Sequence, residues 1–62
     1  MKKINHLLQD AIRAISEYPV RDDIHAGVQK KWSTAMRKYL EKDYLAARVL
    51  AEDILKILEE NK

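Results

Sequence analysis

The sequence predicts an all-α fold, a small antiparallel three-helix bundle with helices over about residues 3–18, 20–41 and 43–60. Two observations carry this expectation. Apolar residues recur at helical rather than strand spacing in each of three successive segments. The residues that punctuate β folds are almost missing, with one Gly and one Pro in 62 residues, so the turns of a sheet have no chemistry to form them. A chain of this length builds one domain, taken here as residues 1–62.

In the first segment, Ile4, Leu7, Leu8, Ala11, Ile12, Ala14, Ile15 and Tyr18 fall within an arc of about 160° on a helical wheel. Asn5, His6, Gln9, Asp10, Arg13, Ser16 and Glu17 take the other side. The helix is expected to stop near Tyr18, because Pro19 disfavours the α conformation in the residue before it.

Pro19 suits the first turn of a second helix, where an N–H is not needed. Asp22 and Asp23 then sit where carboxylates favour the positive end of the helix dipole. The apolar face of this helix is read as Ile24, Val28, Trp32, Ala35, Met36, Tyr39 and Leu40. Gly27 weakens it by about 1 kcal/mol relative to Ala, and either permits close approach of another helix or is simply tolerated.

Asp43 is a good N-cap for the third helix. Its apolar face is read as Tyr44, Ala46, Ala47, Leu50, Ala51, Ile54, Leu55, Ile57 and Leu58. Leu45 and Val49 do not belong to that face. They lie one turn apart among Glu52, Asp53, Lys56 and Glu60, an apolar spot on the nominal solvent side. With connections this short, consecutive helices are antiparallel neighbours.

Composition excludes several kinds of chemistry. The absence of Cys rules out disulfides and thiolate metal sites and is compatible with a reducing cytoplasm. Met1-Lys2-Lys3 resembles the start of a signal peptide, but Asn5, His6, Gln9, Asp10 and Arg13 interrupt any apolar stretch after it. No run approaches the roughly 20 apolar residues of a membrane span. A soluble, cytoplasmic protein is therefore expected.

Neither a catalytic constellation nor a cofactor or metal site emerges, so an enzyme and a small-molecule substrate are not expected. His6 and Asp10 are four residues apart on the exposed face of the first helix and read as a surface pair. Asp22, Asp23 and His25 have metal-binding types, yet their side chains diverge on a helix; His25 reads as a boundary histidine near Trp32. Ser16, Ser33 and Thr34 have no base at triad spacing. Lys30, Lys31, Arg37, Lys38 and Lys42 occupy an arc of about 140°, a possible basic patch for phosphates, diluted by Asp23 and Glu41. Net charge is only +2, less lopsided than a dedicated nucleic-acid binder.

Two stretches resemble known families. Trp32, Ala35 and Tyr39, followed by Ala47, Ala51 and Ile54, look like the two helices of a tetratricopeptide hairpin. Met36 stands where that motif has its first Gly, and Glu59 where it ends in Pro. Over more of the chain, the short first helix, the Pro19 break, Asp23-Ile24, Gln29-Lys30, Trp32, Leu50 and Ile54 are similar to bacteriocin immunity proteins of the enterocin A type. That resemblance implies a cytoplasmic helical bundle that protects a producing cell through protein contact; the family usually adds a fourth helix and a longer C-terminal part.

The function expected from the residues is non-catalytic protein–protein contact, as a regulator, adaptor or immunity-type protein, with Leu45, Val49 and the exposed part of Trp32 as contact residues. A core this small also points to self-association, a dimer, or another protein as partner. The alternative is a small nucleic-acid binder using the basic patch.

Overall fold

The computed structural model describes residues 3–62; Met1 and Lys2, which open the basic N-terminal tripeptide, lie outside the described residues. Among the described residues the chain forms α1 (Ile4–Glu17), α2 (Asp22–Leu40) and α3 (Tyr44–Asn61) and no strand. The all-α three-helix bundle expected from the sequence is the fold observed.

α1 ends where proline chemistry requires. Tyr18 is extended (φ −77°, ψ 133°), as a residue before proline must be, while its N–H still bonds the Ala14 carbonyl at 2.9 Å. α2 starts two residues later than the sequence suggests, so Pro19 lies in the linker rather than in the helix's first turn. The reason is Val20, whose side chain packs against the buried cluster of Ala11, Ala14, Ile15, Val28, Ile54 and Leu58. Arg21 then serves as an extended N-cap, and its carbonyl accepts the first helical bond, from His25 N–H at 2.8 Å. Asp22 and Asp23 occupy the first turn of α2, and Arg37 and Lys38 the last, both in the sense the helix dipole favours.

The α2–α3 turn closes without the glycine usual at a helix C-terminus. Asp43 N–H bonds the Lys38 carbonyl at 2.8 Å and Lys42 N–H bonds the Tyr39 carbonyl at 3.0 Å. This is the Schellman pattern, which needs a left-handed residue just beyond the helix. Lys42 supplies it, with φ of 65°. Asp43 then caps α3, its Oδ1 accepting from Ala46 N–H at 3.4 Å.

Among the described residues, half of the ten buried ones are alanines: Ala11, Ala14, Ala35, Ala47 and Ala51. The helices can approach closely, but the core is correspondingly thin. Its larger members are Leu8, Ile15, Val28, Ile54 and Leu58. Trp32 joins the two halves of this core. It packs against the Ile15–Ile54–Leu58 cluster and also against a second one of Leu8, Ala35 and Ala51. Its indole N–H donates to the Leu8 carbonyl at 2.9 Å, which fastens α2 to α1. At the far end, Tyr18 O–H donates to Glu59 at 3.3 Å and Lys62 lies 5.3 Å from the Tyr18 ring centre. Tyr18 and Glu59 both lie near their helices' C-terminal ends, so α1 and α3 run the same way, with α2 antiparallel to both.

Candidate functional site

Leu45 and Val49 are exposed to 74% and 50%. Successive helical residues turn by about 100°, which places both roughly 150–170° from the mean direction of the buried Ala47, Ala51, Ile54 and Leu58. They therefore form a ridge on the outer side of α3, about 6 Å apart. Glu52, Lys56, Glu59 and Glu60 continue that side toward the C-terminus, all exposed.

Two further large apolar residues join them at the hairpin end, and the sequence had placed both on core faces. Leu40 is 75% exposed. It lies about 120–140° around α2 from the buried Val28 and Ala35, so it escapes their packing plane. Tyr44 is 46% exposed, because the first turn of α3 projects past the core; it meets Tyr39 edge-on at 5.5 Å between ring centres. Leu40, Tyr44, Leu45 and Val49 thus bracket one turn. Trp32 stands apart from them, partly buried, with its polar atom engaged by Leu8.

The basic patch is less continuous than the sequence suggests. Lys31 lies 3.8 Å from Asp53 across the α2–α3 interface, and Lys38 lies 3.8 Å from Glu41. Lys42 belongs to the turn rather than to α2. Lys30 and Arg37 remain exposed on the helix, with no ion pair among the described residues.

A feature the sequence did not locate is a groove between α2 and α3. Gly27, Lys30, Lys31, Thr34 and Leu50 line one hollow of ≈ 280 Å³. A second, of ≈ 250 Å³, is lined in part by Asp23, Gly27, Lys31 and Ile57. The two share Gly27 and Lys31, so they adjoin along one α2–α3 trough that the Lys31–Asp53 pair crosses. Each hollow is slightly smaller than the usual small-molecule pocket of about 300–1,000 Å³. A β-carbon on Gly27 would meet nothing within 4 Å, so no intramolecular packing demands this glycine.

His25 is partly buried on the flank of α2. Among the described residues no group of three or more His, Asp or Glu side chains is placed to hold a metal ion. No helix among them is long and apolar enough to cross a membrane. Near the C-terminus, a 3.1 Å contact with Lys62 acts on Glu59. The hydrogen bond and attraction of that ammonium hold the carboxyl below its ordinary value, and the same pair raises Lys62.

Compared with protein-family models, with curated proteins and with solved structures, the chain has no match in any of the three.

Proposed function

We infer that this chain is a non-catalytic helical module that acts by protein–protein contact, in the manner of a small regulator, adaptor or immunity-type protein. The observation that carries the reading is the exposed Leu45–Val49 pair, set opposite the core face of α3. Single exposed apolar residues are ordinary. Here Leu40 and Tyr44 add to the pair around the same turn, and a group of this kind marks an interaction surface.

The test is a Leu45→Glu, Val49→Glu double variant. Both positions are solvent-facing, so helicity, and melting temperature at protein concentrations too low for association, should stay close to the parent. Self-association measured by sedimentation equilibrium, or capture of a defined partner, should fall at least tenfold, the effect of removing a central apolar anchor worth about 1.4 kcal/mol or more. If both quantities are unchanged, the reading is wrong.

The nucleic-acid alternative rests on Lys30 and Arg37, the helix cations of the patch without a carboxylate partner among the described residues. A gel shift at low salt addresses it directly, since phosphate binding by even two cations weakens as salt rises.

A further inference from the structure

Two surface features remain unexplained by the monomer: an apolar ridge on the outer side of α3 and an apolar trough between α2 and α3. We propose that they are the two halves of one contact, in which the Leu45–Val49 ridge of one copy of the chain seats in the Gly27 trough of another. The proposal rests on the protein-contact reading above and names the partner, a second copy.

Three observations support this occupant. The shapes correspond, since the ridge presents two branched aliphatic side chains one helical turn apart and the trough is bounded by Leu50 and Ile57. The charges correspond as well. The α2 wall of the trough carries Lys30 and Lys31 with Asp23 at one end, and Arg37 and Lys38 lie further along the helix. Lys31 and Lys38 already meet Asp53 and Glu41, which leaves Lys30 and Arg37 as the cations open to a partner. The outer side of α3 carries Glu52, Glu59 and Glu60 against Lys56. Arg48 and Lys62 already meet two of these carboxylates, but exposed pairs of this kind hold weakly and exchange partners readily. The third observation is Gly27. It is the chain's one glycine, sits in the interior of α2 where glycine is unfavourable, and has open space around its missing side chain. A helix arriving from outside gives that space an occupant.

Ridge and trough lie on different faces of the hairpin, so one copy can offer its ridge while receiving another's. Such a head-to-tail contact is heterologous, and it builds rings or open chains rather than a closed twofold dimer. This separates it from ridge-to-ridge pairing.

The test uses two variants, each disabling one half. Leu45→Lys with Val49→Lys removes the ridge and sets positive charge against the basic wall. Gly27→Gln with Lys30→Glu fills the trough and reverses its charge. All four positions are exposed, and replacing a mid-helix glycine raises helix propensity, so both variants should retain the parent's circular dichroism. Sedimentation equilibrium is run on the parent, each variant alone and their equimolar mixture. The parent should form species larger than a dimer as concentration rises. Each variant alone should sediment at the 7.3 kDa chain mass. The mixture should give a one-to-one complex of twice that mass and nothing larger, because it retains a single intact ridge–trough pair. A mixture that stays monomeric while the parent associates refutes the head-to-tail contact, and a trough variant that associates on its own refutes it in favour of ridge-to-ridge pairing. A parent that stays monomeric at hundreds of micromolar overturns self-association altogether. The protein-contact reading would then stand or fall on whether the Leu45→Glu, Val49→Glu variant loses a foreign partner.

Discussion

Replacing Lys42 by glycine should stabilise the protein, and the size of the effect follows from one dihedral angle. Lys42 adopts φ of 65° because the Schellman closure of α2 requires a left-handed residue there. For an L-residue this conformation costs about 1–2 kcal/mol through the clash of Cβ with the following carbonyl. Glycine escapes the clash but loses more chain entropy on folding, which returns about 0.5–1 kcal/mol. Removing a cation from the C-terminal end of α2 costs about another 0.3 kcal/mol at an exposed site. The net expectation is a gain of up to about 1 kcal/mol. Lys42→Ala is the informative control, since it removes the same charge and keeps the strain. The Gly and Ala variants should therefore differ by about 1 kcal/mol, or roughly 4–8 °C in melting temperature for a domain of this size. Thermal unfolding followed by far-ultraviolet circular dichroism at matched protein concentration reads the difference. A glycine variant that melts at or below the alanine variant would refute the reasoning.

Three other expectations concern what holds the helices together. Trp32→Phe keeps most of the packing between the two core clusters but loses the bond to the Leu8 carbonyl; denaturant unfolding should show a loss of about 1–3 kcal/mol, and an unchanged midpoint would count against the latch. Ala51→Leu forces extra volume into a fully buried site and should cost about 1–3 kcal/mol, so a neutral result would mean that the helices separate more easily than their alanine contacts imply. The Glu59–Lys62 pair makes a sign-specific pH prediction. Because the folded carboxyl is depressed, its contribution is present above the ordinary value of 4.5 and fades as pH falls through the lower folded value. The raised Lys62 contributes below 10.5 and its contribution fades as pH rises through the higher folded value. The Glu59 carboxyl resonance should titrate below 4.5 and move back up in Lys62→Ala; a parent midpoint at or above that value would sink the assignment.

How far the sequence reveals this molecule depends on the range of the interaction concerned. Helix periodicity, the Pro19 break and the Asp43 cap are local, and each is visible in residues a few positions apart. Leu45 and Val49 could be singled out because the α3 pattern alone rejects them from its face. Pro19 led to an early start for α2 because local chemistry permits one; the competing demand, packing of Val20 on the core, is long-range. Leu40 sits at the edge of the apolar arc read for α2 and turns away from Val28 and Ala35 once the helices pack, whereas Tyr44 fits the α3 arc and is exposed because the first turn of that helix projects past the core. The Schellman closure was hidden because its usual glycine is absent, and Lys42 carries no such signal. The Trp32 bond ends on a backbone carbonyl, which no side-chain pattern records. The trough needs Gly27 beside Leu50 and Ile57, a juxtaposition that exists only after α2 and α3 have packed.

The alanine-rich core and the apolar surface are connected through chain length. Alanine at Ala11, Ala14, Ala35, Ala47 and Ala51 lets three short helices approach closely, yet each contributes little apolar area to the core. Small domains of this kind commonly obtain further stability from association. Leu40, Leu45 and Val49 keep half or more of their surface in water, and this is the apolar area that a partner can still remove from solvent. Binding to the folded state alone stabilises it by mass action. If the ridge and trough meet between copies, the parent's melting temperature must therefore rise with protein concentration, while the Leu45→Lys, Val49→Lys variant must melt at one temperature throughout. A concentration-independent parent would show that the exposed apolar residues do not stabilise the fold through self-association, whatever else they contact.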